Sequence, residues 1–234
     1  MKKLLFLIAI CVPILLSGQT KSSKSSTSFT QAEPESVGMS SERLDKIDAM
    51  CYEAINNGDI PGAVTLIARN GKIVFHKAYG IADAKTGKKM EKDVLFRLAS
   101  QTKAITATAV MMLWEEGRFR LDDPISAFIP EFRNTGILDT FNPDDSSFTT
   151  RSTKRQIRVR DLLTHTSGIG YGAIDGDNRI RMIYAKAGIS EGLSNKNVSI
   201  EDNIKALAKL PLHQEPGEKY LYGMGLDVLG YFIE

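Results

Sequence analysis

Ser100 and Lys103 lie three residues apart in "LASQTKAITATAVMML", residues 98–113, and their types and spacing could do chemistry. On a helix such a pair shares one face with Cβ atoms roughly 5–6 Å apart, so hydroxyl and ammonium can meet. A serine attacks a carbonyl when an adjacent base or a favourable field stabilises its alkoxide, and lysine can supply either. The positive N-terminal end of the helix would favour an oxyanion forming at the serine. A plainer reading uses the same residues: Ser100 as the N-cap of a helix, with Lys103 solvated behind it. A chain of this length holds roughly one S-x-x-K by accident, so spacing alone leaves both readings open.

The elements around the pair are legible. "VLFRLAS" reads as a strand-like run, and the Ala/Met/Leu-rich stretch from Gln101 to Glu116 as a helix stopped by Gly117. Upstream, a helix is predicted over Ser40–Asn57, capped by Ser40 or Ser41, with Leu44, Ile47, Met50, Cys51 and Ile55 near the 3.6 period. "AVTLIAR", "NG" and "KIVFHKAYG" then form a hairpin pattern around a type I′ Asn70–Gly71 turn. Downstream, "LDDPISAFIPEF" suggests a short capped helix, residues 134–156 a polar surface excursion, and "IRVRDLLTHTSGIGYG" a short helix with a glycine-rich turn. Two further helices are expected, Ser199–Leu210 capped by Ser199, and "LDVLGYFIE" at the end. After residue 100 almost nothing offers another strand, and the apolar period of the last helix is still running at Glu234. The sequence therefore reads as the front part of an α/β fold.

The N-terminus, "MKKLLFLIAICVPILLSG", has two lysines before an apolar run too short for a stable membrane span, the layout of a secretory signal peptide ending near Gly18. Residues 19–36 are rich in Ser, Thr and Lys and read as a flexible linker, leaving 37–234 as the domain. Removing residues 1–18 lowers Lys+Arg from 30 to 28 against 28 Asp+Glu, so the exported chain has no basic excess for nucleic acid or an anionic membrane. Cys11 leaves with the signal, so Cys51 has no intramolecular partner and is expected to be a small buried hydrophobe. His76, His165 and His213 show no i, i+3/i+4 spacing, and no cofactor or metal is called for. His165 and Ser167 could suggest a Ser–His hydrolase, but no G-x-S-x-G elbow is present.

Three ordered stretches carry a resemblance. "FRLASQTKAITATAVMMLWEEGRFRLDDPISAFIPEF" resembles the first motif region of the serine β-lactamase and penicillin-binding-protein superfamily, nearest its class C β-lactamase branch and related family VIII esterases. "IRVRDLLTHTSGIGYG" is similar to that family's T-V-R-D-L-L-T-H-T-S-G turn. "PLHQEPGEKYLYGMGLDVLGYFIE" is similar to its P-G-x-x-W-x-Y-S-x-x-x-D-V-L-G segment. The resemblance, over about residues 35–234, implies a β-lactamase/transpeptidase-like α/β fold: an antiparallel sheet flanked by helices, plus a helical region.

It also implies roles. Ser100 matches the acyl-accepting nucleophile, Lys103 its lysine partner, and Tyr222 the tyrosine that acts as, or orients, the general base. Tyr220 takes a packing position, and His165 a structural one in the turn. An ammonium beside a tyrosine favours the phenolate, which makes that trio chemically reasonable. Gly223 and Met224 stand where the family often has Ser and sometimes Asn, which favours an esterase-like or peptidase-like branch.

Lys85-Thr86-Gly87 has the letters of the family's late-strand triplet. It precedes Ser100 in a turn-like context, however, and reads as a surface turn; no counterpart follows Tyr222. The implied function is an exported serine hydrolase acting through an acyl-enzyme on a small-molecule or peptide ester, amide or lactam. The alternative is a truncated, non-catalytic or ligand-binding remnant of such an enzyme. The sequence does not specify an oligomeric state.

Overall fold

The computed structural model describes residues 29–192 and 197–234. The predicted signal peptide and residues 19–28 of the predicted linker lie outside the described residues. The chain divides into two compact units, Met1–Phe96 and Arg97–Glu234.

In the first unit, strand β1 (Thr30–Gln31) and helix α1 (Ser41–Asn56) precede the antiparallel hairpin of β2 (Gly62–Arg69) and β3 (Lys72–Asp83). Asn70 and Gly71 both have positive φ, 52° and 71°, as a type I′ turn requires. A short β4 (Lys88–Lys89) pairs with β3 on its second edge. β1 pairs parallel with the start of β3, Thr30 opposite Lys72, so residues 30 and 31 of the predicted linker form a strand instead. Ser40 caps α1 by accepting the Arg43 N–H. Cys51 on α1 is buried beside Leu44 as a small hydrophobe, and Tyr79 of β3 donates to Asp48 of α1 at 2.6 Å.

The second unit holds the larger core and begins differently from expectation. "VLFRLAS" forms no strand; the chain runs irregularly into a single 3-10 turn, Ala99–Gln101, that leads into helix α2 (Thr102–Glu115). "LDDPISAFIPEF" forms two 3-10 turns, Ile125–Ala127 and Pro130–Asn134, because Pro124 and Pro130 each restart the chain. The polar excursion contains a hairpin, β5 (Gly136–Phe141) and β6 (Phe148–Ser152), so the expectation of no further strand is corrected. β5 is anchored because Ile137 is buried and Leu138 N–H donates to the Leu212 carbonyl at 2.9 Å. β6 is polar and exposed, stabilised by backbone pairing and the Thr140–Thr149 hydroxyl contact rather than by burial.

Helix α3 (Val159–Leu163) follows, then α4 (Asn178–Lys186), which the sequence reading did not anticipate. α5 (Ile200–Leu207) is capped by Ser199, whose hydroxyl accepts from the Asp202 N–H, as expected. α6 (Gly225–Ile233) closes the chain. α6 packs on α2, α3 and α5, burying Leu226, Val228 and Leu229 in one cluster with Val110, Leu162, Ile180 and Ile204. Gly225 lets α6 lie close to α3, since a Cβ there would meet the Leu162 carbonyl oxygen at 3.0 Å. That packing brings the start of α6 alongside the start of α2.

Candidate active site

Ser100 does not cap its helix. Gln101 occupies the N-cap position of α2 without a side-chain bond, while Ser100 sits one residue earlier in the 3-10 turn. Its Oγ lies 2.7 Å from the hydroxyl of Tyr222, from a segment 122 residues away. Ala99, just before it, has φ +45°, a left-handed conformation that L-residues other than glycine, asparagine and aspartate rarely adopt. This strained residue turns the chain so that Ser100 faces Tyr222 rather than the helix end.

Lys103, the second residue of α2, places its Nζ 5.2 Å from the ring centroids of both Tyr171 and Tyr222. The two rings stack on each other at 5.4 Å with planes 8° apart. Burial pushes the Lys103 ammonium down, but the Asp227 carboxylate, Tyr171 and Tyr222 together outweigh it and its pKa is raised. Lys103 is therefore held as a cation beside the Ser100–Tyr222 pair. Burial raises the Tyr171 phenol, with Lys103 opposing, so this tyrosine stays neutral and serves as a wall.

Tyr222 is fixed from behind by His165. The His165 ring lies 4.8 Å from that of Tyr222, and its Nδ1 accepts the Gly223 N–H at 3.3 Å, while its carbonyl accepts the Leu221 N–H at 2.7 Å. His165 has φ +54°, so the turn itself aims this ring, in keeping with the structural role expected of it. Burial, reinforced by the Lys103 charge, lowers its pKa and keeps Nδ1 free to accept. Ser167 is turned away and accepts the Ile169 N–H, so His165 and Ser167 form no catalytic pair. Tyr220 does not take the buried packing position expected of it: it is 69% exposed, its ring meeting His165 at 5.8 Å.

Gly223 and Met224 have packing reasons. A Cβ on Gly223 would lie 1.9 Å from the Ile169 carbonyl oxygen, and Met224 is buried in the core. Neither position can present a polar side chain to the site. The loop carrying Tyr171 is pinned by Asp175, whose Oδ2 accepts the Tyr171 N–H at 3.1 Å and meets His213 Nε2 at 2.8 Å. The Gly170 N–H donates to the buried Tyr184 hydroxyl.

Ser100 and Lys103 line a cavity of about 460 Å³ that Tyr171, Ile174, Leu226 and Asp227 also line. Its mixture of aliphatic wall and a few convergent polar groups suits a small organic ligand. The structure thus brings together all three residues predicted from sequence. It adds Tyr171 and Asp227 to the wall and His165 as a support; the signal for each was its place within a matching stretch, "GIGYG", "LDVLG" and "HTSG".

Comparison with known proteins agrees with this geometry. The sequence profile of the Beta-lactamase family matches residues 42–234. The chain belongs to that family. It is 36% identical over 189 residues to esterase EstB of Burkholderia gladioli, covering 81% of this chain and 44% of EstB. Among solved structures it resembles EstCE1, described as a hydrolase with promiscuous acyltransferase activity, with a TM-score of 0.67, 30% identity, and coverage of 81% of this chain and 45% of that one. Simvastatin synthase LovD from Aspergillus terreus shares the fold at a TM-score of 0.64 and 24% identity, over 83% of this chain and 47% of LovD. The chain spans about 45% of the length of EstB and EstCE1. The fold is the β-lactamase/transpeptidase-like mixed α/β fold that the motifs implied. Among the described residues no helix is long and apolar enough to cross a membrane.

Proposed function

We propose that this protein is an exported serine hydrolase that cleaves esters of small organic acids through an acyl-enzyme. The observation that carries the reading is the 2.7 Å hydrogen bond between Ser100 Oγ and the Tyr222 hydroxyl, with the Lys103 ammonium over the tyrosine ring. The esterase relative and the apolar cavity wall support an ester substrate over a lactam. So does the absence of a polar side chain at positions 223 and 224 facing the site. Export rests on the predicted signal peptide at residues 1–18.

Ser100 Oγ attacks the ester carbonyl carbon as its proton passes to the Tyr222 oxygen, and the carbonyl electron pair moves onto oxygen. The Lys103 cation over the Tyr222 ring offsets the negative charge that develops around the Ser100–Tyr222 pair as the proton moves. Collapse of the tetrahedral adduct expels the alkoxide, which leaves as the alcohol with the proton held by Tyr222. Water then attacks the acyl-serine, giving its proton to Tyr222, and Ser100 is reprotonated as the acid departs. The N-terminal end of α2 favours the oxyanion in both halves.

The test is hydrolysis of p-nitrophenyl butyrate and nitrocefin by the wild type and by Ser100→Ala. The expected result is ester turnover that exceeds lactam turnover and vanishes in the variant; equal rates in the two proteins would remove Ser100 as nucleophile.

A further inference from the structure

His213 and Asp175 meet inside the second unit, apart from the steps assigned to Ser100, Lys103 and Tyr222. His213 Nε2 lies 2.8 Å from Asp175 Oδ2, with side chains 13% and 3% exposed. A carboxylate only accepts, so His213 presents Nε2–H to it. The same Oδ2 accepts the Tyr171 N–H at 3.1 Å, and Oδ1 accepts the Asp177 N–H at 2.8 Å. The backbone of His213 is anchored too. Its N–H donates to the Gly168 carbonyl at 2.9 Å, while Leu212 beside it donates to the Gly136 carbonyl and accepts the Leu138 N–H, both of β5. Burying a histidine against a carboxylate costs desolvation that an apolar pair of similar volume would avoid. Packing alone therefore does not account for the pair.

Two routes lead from it to Tyr222. One runs through Tyr171, whose backbone N–H is held by Asp175 and whose ring stacks on that of Tyr222 at 5.4 Å, planes 8° apart. The other runs through Gly170. Its backbone lies against the pair, since a Cβ there would stand 2.5 Å from Asp175 Oδ2 and 2.8 Å from His213 Nε2. The Gly170 carbonyl accepts the Met224 N–H at 3.0 Å, two residues beyond Tyr222. We propose that His213 and Asp175 are positioning residues that set the Tyr222 hydroxyl against Ser100 Oγ through Tyr171 and Gly170. The inference deepens the reading of the Ser100–Tyr222 pair given above and rests on it for its catalytic consequence. Neither residue lines the cavity that holds Ser100, so both act through the ring stack and the backbone.

The experiment is 19F NMR of the full chain labelled with 3-fluorotyrosine, alongside p-nitrophenyl butyrate kinetics of the unlabelled protein. Tyr171→Phe and Tyr222→Phe assign the two resonances. Wild type is compared with His213→Leu, which removes the donor, and His213→Gln, whose amide N–H reaches the same place. In His213→Leu both resonances should move, and turnover should fall about 10–100-fold with KM within threefold. His213→Gln should return both resonances and bring turnover within about threefold of wild type. A purely structural pair would lower the thermal midpoint and leave the Tyr222 resonance and the turnover of the folded variants unchanged. That result overturns the proposal, as does a His213→Gln that behaves like His213→Leu. Should His213→Leu fail to fold, Asp175→Asn decides, because a single amide oxygen cannot serve all three donors; an unmoved Tyr222 resonance there overturns the proposal equally. If the resonances move while the wild type hydrolyses no ester, the positioning stands and the hydrolase reading falls. If ester is cleaved and Tyr222 does not move, the hydrolase reading stands and the positioning falls.

Discussion

Lys85-Thr86-Gly87 and Ser100-Gln101-Thr102-Lys103 are both short strings shared with serine hydrolases of this family, and the structure treats them in opposite ways. The first string is consumed by its own turn. Asp83 Oδ1 accepts the Lys85 N–H, Gly87 N–H returns to the Asp83 carbonyl, and Gly87 takes φ +69°, all on the exposed loop between β3 and β4. The second string satisfies little locally. Its serine bonds to a tyrosine 122 residues on, and its lysine lies over two rings from distant loops. Letters acquire chemistry when a fold makes several segments converge on them; a string whose polar groups are met by its nearest neighbours is a turn.

That contrast can be broken by substitution. Ser100→Ala is expected to lower ester turnover by 10³-fold or more, measured with p-nitrophenyl butyrate. Tyr222→Phe keeps the ring stack and removes the proton acceptor, so turnover should fall roughly 10²–10³-fold with KM little changed; full activity would assign the base elsewhere. Ala99→Gly relieves the left-handed strain but loosens the aim of Ser100. A loss of about 3–10-fold in turnover, with thermal stability nearly unchanged, is expected.

His165→Asn tests the support behind Tyr222 through pH. The native His165 pKa lies below its unfolded value of 6.5, so between the two the unfolded chain binds the extra proton. Wild-type stability therefore falls as the pH drops from 6.5 into that window. Asparagine accepts the Gly223 N–H and tolerates positive φ without titrating there, so the variant should show a flatter thermal midpoint over the same range. Smallest of all, Lys85→Ala with Thr86→Ala should change turnover by less than about twofold. A large loss would place that turn in the site and dissolve the comparison.

Much of this arrangement was legible in the residues. α1 and its Ser40 cap, the Asn70–Gly71 hairpin, α5 with Ser199, and the trio Ser100, Lys103 and Tyr222 all follow from periodicity, capping or ordered motifs. What escaped depends on tertiary contacts. β6, "FTTRS", has neither strong alternation nor apolar content and is a strand only because β5 is pinned to Leu212. The apolar "VLFRLAS" lacks a pairing strand among the described residues and stays irregular. Asp227 looks in sequence like an ordinary first-turn acid; its Oδ2 is sealed from solvent only once α6 lies against α2.

The separation of 122 residues between Ser100 and Tyr222 has a consequence in time. At ribosomal rates of about 5–20 residues per second, the serine is synthesised roughly 6–24 s before the tyrosine to which it is hydrogen-bonded. Throughout that interval Ser100 is an ordinary alcohol in the nascent chain, and the hydroxyl contact that distinguishes it can form only once both segments have been made.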